Sequence, residues 1–177
     1  MKKFFKAICL LALLAVFGVP SSALAAPIYN SSVDDFFATV SELGNYAGVT
    51  FQGKNYRTTD TGLKVCDINF GGRQDNTVTL SLNSNSTIDN IAINFPGSES
   101  SNNAELGGMA LALVLITVGF NEQECNKFIE QLNADVANIQ TDLEKTYKIY
   151  CSAIKQNVNV DAVVIGENAY FAVRVAD

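Results

Sequence analysis

Beyond Cys9 in the N-terminal apolar run, Cys66, Cys125 and Cys151, together with the serine and lysine of Ser152-Ala153-Ile154-Lys155, are the most nucleophilic side chains this 177-residue chain has to offer, and no histidine is present to activate them. That absence removes Ser-His-Asp and Cys-His catalysis, the usual base near neutral pH and the commonest ligand of zinc and copper. The spacing of Ser152 and Lys155 matches the S-x-x-K pattern, in which a lysine one helical turn away helps to activate a serine. Here it falls in a strand-like segment, where residues three apart point to opposite faces, and the companion S-D-N and K-T-G motifs are missing. Cys125 falls in the first turns of an expected helix, where the dipole favours a thiolate, but Glu122 and Glu124 oppose that effect and Phe128 and Leu132 share its face. Cys66 shares a strand face with Ile68 and Phe70, and Cys151 lies between Ile149 and Ala153, so all three thiols read as core positions. Three pairings are open to them, of which a helix-to-sheet bridge from Cys125 to Cys151 is the candidate disulfide. The carboxylates form no calcium-loop pattern, Asp34-Asp35 suits a helix start, and Gly71-Gly72 reads as a hairpin turn and not a phosphate loop. The reading therefore assigns no catalytic, cofactor-binding or metal-ligating residue, and an enzyme is the less favoured class.

The chain opens with MKKFFKAICLLALLAVFGVPSSALA: basic residues, an apolar run, then small residues at Ala23 and Ala25. This is the form of a secretory signal peptide spanning residues 1–25, which leaves residues 26–177 as one domain, exported to the periplasm or beyond the cell. The lysine-led leader has a bacterial character. Twelve basic residues fall to nine once the leader's three lysines are gone, against eighteen acidic ones, so the mature chain carries a net charge of −9. Such a surface repels nucleic acid and anionic lipid.

The elements that must position any site follow from periodicity. Ser31 to Asp35 has capping-box spacing, and Val33, Phe36, Phe37, Val40 and Leu43 recur at helical spacing until Gly44 or Gly48. Strands with period two then follow: Leu63 to Phe70, Val78 to Leu82 and Ile91 to Phe95, with a short one around Val49 to Phe51. Asn102 and Glu105 offer a second capping box ahead of the uncharged stretch GGMALALVLITVGF (107–120). Asn121 and Glu124 offer a third, opening a helix with Cys125, Phe128, Ile129, Leu132, Val136 and Ile139 on one face. The tail returns to strands at Tyr147 to Ala153, Val158 to Ile165 and Tyr170 to Val175. Strands gathered in two runs predict an α+β fold: a single antiparallel sheet, a meander plus the C-terminal strands, with an N-terminal helix and a central helical hairpin on one face.

The apolar stretch is too short for a membrane span, about 22 Å as a helix against a hydrocarbon core of about 30 Å, so no span is expected in the mature chain. Its wheel has two stripes, one of Leu106, Met109, Ala110, Leu113, Ile116 and Phe120 and another of Leu111, Leu115 and Val118. A helix apolar all round must be covered all round. The core is the first expectation; an exposed second stripe, a candidate subunit or ligand surface at Leu111, Leu115 and Val118, is the alternative. The other candidate surface is the outer sheet face, with Thr77, Thr79, Tyr150 and Arg174 among its polar groups. The function expected is that of an exported, non-enzymatic binding protein whose partner is an unidentified protein or envelope component, with a homodimer as a candidate assembly. Two alternatives stand beside it: a carrier of a small apolar ligand in a cavity lined by Phe37, Leu113 and Phe128, and a histidine-free hydrolase working through paired carboxylates.

Overall fold

The structure, a computed structural model, describes residues 27–96, 101–137, 142–165 and 168–176. The expected leader, Ile139 and the turn at Gly166-Glu167 lie outside the described residues. The elements run α1 (Val33–Ala47), β1 (Phe51–Thr58), β2 (Lys64–Phe70), β3 (Arg73–Leu82), β4 (Ile88–Pro96), α2 (Ser101–Thr117), α3 (Glu122–Ala137), β5 (Leu143–Cys151), β6 (Gln156–Ile165) and β7 (Asn168–Val175). All seven strands form one antiparallel sheet in the order β1-β2-β3-β4-β7-β6-β5. The α+β reading therefore holds, with the two runs of strands joined by the central pairing of β4 with β7.

Local signals explain why the helices start where they do. Ser32 Oγ accepts from the Asp35 amide at 3.1 Å while the Asp35 carboxylate accepts from the Ser32 amide at 3.2 Å, and Gly48 closes the helix at φ +75°. Asn121 and Glu124 make the same reciprocal pair, with Asn121 Oδ1 accepting from the Glu124 amide at 3.0 Å and Glu124 Oε2 from the Asn121 amide at 2.9 Å. Each satisfies helix N–H groups that would otherwise lack a partner. The expected box at Asn102 and Glu105 is corrected, because α2 already begins at Ser101 and both residues lie within it. Asn103 turns inward instead: its amide donates to the Pro96 carbonyl, and its Oδ1 accepts from Asn76 Nδ2 at 2.7 Å, both side chains being buried.

Register lines up the core. One row crosses the whole sheet on its helix side, Tyr56–Cys66–Leu80–Ile91–Val173–Val160–Tyr147, buried from Cys66 to Tyr147. The short strand expected near Val49 is instead the eight-residue β1, which lacks alternation because it is an edge strand with only Phe51 buried. The last strand residues expected at Ser152 and Ala153 belong to the turn after β5, which ends at Cys151.

The uncharged stretch is the middle helix of the layer, with α1 and α3 packed against it and β4 beneath it. Leu111 and Leu115 are wholly buried and Val118 nearly so, which removes them as a candidate interaction surface. The strip left toward solvent carries Glu105, Met109, Ala112 and Ile116, so the wheel assignment that placed Met109 and Ile116 in the core stripe is corrected. The cause is physical: a helix apolar on every side has almost no amphipathic direction, and its neighbours alone decide how it rolls. Here the roll is fixed by Gly107, where an added Cβ would fall 2.2 Å from the ring of the fully buried Phe95. Gly107→Ala must lift α2 off β4 or displace that ring, and overpacking of this kind costs about 1–3 kcal/mol. Urea unfolding of the variant is expected to show a lower midpoint at unchanged m-value; an unchanged midpoint would mean that α2 does not rest on Phe95.

Candidate functional site

With three helices on one side, the other face of the sheet has no helix over it among the described residues, and its side chains stand in three rows set by the register. The middle row is Asn55–Asp67–Thr79–Ala92–Ala172–Asp161–Thr146. On one side of it runs Arg57–Val65–Ser81–Asn90–Arg174–Asn159–Lys148. On the other runs Gln52–Asn69–Thr77–Asn94–Tyr170–Val163–Glu144. At the centre two alanines, Ala92 and Ala172, form a low floor. Longer side chains, Asn90 and Arg174 on one side and Asn94 and Tyr170 on the other, flank and shade it.

The two ends of this floor are held alike. Asp67 accepts from Arg57, Nε at 2.5 Å and Nη2 at 3.2 Å, and from Thr79 Oγ1 at 2.6 Å. Asp161 accepts from Thr146 Oγ1 at 2.6 Å and from Arg174 Nε at 3.2 Å. Each carboxylate is thus fixed between a guanidinium and a hydroxyl, a charge-assisted arrangement that restrains long side chains. The pair sits four strand spacings apart, about 19 Å, far beyond the 5–9.5 Å or so that separates carboxylates sharing one hydrolytic step. Asn90 adds a shielded Oδ1 without a hydrogen-bond partner in the middle of the face. What this arrangement can do chemically is offer donors and acceptors in fixed positions across an open sheet face.

Thr77, Thr79 and Arg174, singled out from sequence, all lie on this face, Thr77 and Thr79 on β3 and Arg174 two strands away on β7, while Tyr150 stands at the far end of β5 with about half its surface exposed. Asp67, Asp161, Tyr170 and the alanine floor were not legible as a set. Alternation assigns each residue a face, but only inter-strand register brings positions 67, 79, 92, 172 and 161 into one line. The side chains expected to line an apolar cavity are not brought together. Phe37 carries Lys54 over its ring at the β1 edge, whereas Phe128 packs edge-on against Tyr147 at the β5 edge, ring centroids 5.3 Å apart.

The nucleophiles are committed elsewhere. Ser152 and Lys155 lie in the β5–β6 turn; Ser152 Oγ accepts from Asn121 Nδ2 at 3.3 Å and its amide donates to Glu124 Oε1 at 2.9 Å, tying α3 to the end of β5. The three cysteines among the described residues, Cys66, Cys125 and Cys151, are buried free thiols. Burial pushes Cys66 up to about 11, with the Asp67 charge adding to it, and pushes Cys125 up to about 11, helped by Glu124; Cys151 is raised mainly by burial. Cys66 is five strand spacings from Cys151, about 24 Å. Of the three pairings, only Cys125 with Cys151 joins neighbouring elements, one residue beyond Glu124 and one before Ser152. Iodoacetamide at pH 8 is expected to leave the native protein unmodified, because buried thiols with raised pKa values hold almost no thiolate. After unfolding of the leader-free chain without reductant, three adducts by intact mass are expected, one per free thiol; a single adduct would instead reveal a Cys125–Cys151 bridge, and rapid labelling of the native state would contradict the burial.

At the other end of the α3–β5 contact Asp135 accepts from Lys145 Nζ at 2.6 Å and from the Tyr147 hydroxyl at 2.8 Å. The Lys145 hydrogen bond, aided by Tyr147, holds the Asp135 carboxyl below the usual range against the opposing effect of burial. A depressed carboxyl stabilises the fold above its unfolded-state pKa and loses that contribution as pH falls through and below about 4. The pair is part-exposed, so the decline is expected to be less than about 1 kcal/mol. Asp135→Asn should flatten this acid limb in urea titrations at pH 5 and below; an unaltered limb would show that the contact is energetically silent.

No helix of the described residues is long and apolar enough to cross a membrane, and among them no three Cys, Asp or Glu side chains converge to hold a metal ion. Comparison with family models, with curated proteins and with solved structures yields no match.

Proposed function

We propose that this protein is an exported, non-enzymatic binding protein, and that it contacts a polar protein or envelope component through the outer face of its sheet. The observation that carries the reading is the face with no helix over it among the described residues, where a floor of Ala92 and Ala172 is bounded by Asn90, Asn94, Tyr170 and Arg174 and closed at each end by an aspartate held between an arginine and a threonine. Sheet faces that merely meet solvent need no such fixed carboxylates, and restrained polar groups lower the entropy cost of meeting a partner. The export half rests on the three-part leader at residues 1–25. The net charge of −9 favours a neutral or cationic partner over nucleic acid.

Filling the floor tests this directly. Ala92→Arg places a long side chain where the partner would rest, on the face turned away from the helix layer; Ala92 itself is only 5% exposed, so the new side chain has to extend outward past the flanking Asn90 and Arg174. Affinity capture from native envelope extract is expected to retain a partner on the unaltered protein and to lose it on the variant, with circular dichroism and thermal midpoint nearly unchanged. A partner retained equally by both proteins, or no partner at all, rejects the outer face as the binding surface.

A further inference from the structure

Among the described residues the sheet has two edges with no strand beyond them, β1 and β5, and they differ. Along β1 the pairing with β2 shifts register between Gln52 and Asn55, around Gly53 at φ +74°, and Lys54 is drawn off to Asp34 on α1. Such a bulged edge is a poor template for another strand. Along β5, nine consecutive residues pair with β6 without a shift, so the opposite side of that strand presents an unbroken, regular line of backbone donors and acceptors.

The charges on the outer face sharpen the contrast. Across its three rows Arg57 is paired with Asp67, and Arg174 with Asp161. The two charges left over, Glu144 and Lys148, both exposed, stand on β5 and have no ion-pair partner among the described residues. Four residues apart on one extended strand, they lie about 13 Å from each other, too far to meet. In an antiparallel strand pairing, however, positions summing to a constant lie opposite one another. We propose that the β5 edge pairs with the β5 edge of a second copy, antiparallel and centred on Thr146.

In that register Glu144 faces Lys148 of the copy and Lys148 faces its Glu144, so both leftover charges are neutralised by symmetry. On the helix side Lys145 comes opposite Tyr147, and Leu143 opposite Ile149. The neighbouring registers do worse: centring on Lys145 or on Lys148 sets a lysine against its own copy, and centring on Tyr147 forms no ion pair. The product is a fourteen-stranded sheet whose polar face runs unbroken through both copies, whatever that face binds.

The test is a charge swap read by sedimentation of the purified protein over a concentration series. The unaltered protein is expected to dimerise. Glu144→Lys and Lys148→Glu each turn two ion pairs into two like-charge oppositions and are expected to weaken self-association at least about tenfold. The double variant should dimerise again, and mixing the two single variants should give a one-to-one heterodimer, since each supplies what the other lacks. Circular dichroism of each single variant separates lost pairing from lost folding. Monomers up to about 1 mM, where specific association fades, would overturn the proposal. So would a dimer indifferent to either reversal, or single variants that fold but fail to associate on mixing.

Discussion

A helix with an apolar circumference has to be enclosed, and the architecture follows from meeting that demand for α2. Bare apolar surface costs roughly 25 cal/mol per Å² in water, so a helix such as ALALVLI sets a requirement on every side at once. The sheet supplies the floor through β4, and α1 and α3 supply the two walls. Gly107 lets the helix descend until it touches Phe95, which itself sits between Phe70 and Phe171 in a line of ring contacts across three strands. With the helix layer committed to this one side, the outer face is left to polar side chains.

That division of labour explains which parts of the molecule could be read from the chain. Strong alternation marked β3 and β4, and reciprocal Ser32–Asp35 and Asn121–Glu124 pairs marked two helix starts, because these are local and each has its own physical cause. The β1 strand escaped because an edge strand has one neighbour and little to bury, so its sequence FQGKNYRT carries no period. The roll of α2 escaped for the opposite reason: with apolar residues everywhere, its pattern contains no direction. Asn103, inside a helix whose first turn was expected to start a little later, turned into the core to meet Asn76, a pairing 27 residues distant in sequence and therefore invisible to any local rule.

The candidate site was legible only in fragments. Thr77, Thr79 and Arg174 could be assigned to the outer face from alternation, but Asp67 and Asp161 become partners in one row only through the intervening strands. Their matching arginine and threonine contacts come from strands on either side, with no residue shared between the two sets. The thiols were read as core positions from their apolar neighbours, and burial with raised pKa values gives the same picture from the folded state.

The place of β7 in the sheet has a consequence in time. It is the last strand of the chain and yet it lies between β4 and β6, so the pairing that unites the two halves joins residues such as Asn90 and Arg174, more than 80 positions apart. Hairpins on either side can form early and locally, but the two halves of the sheet are not joined until β7 is in place. Of the strand pairings, that of β4 with β7 therefore carries the largest loop-closure cost.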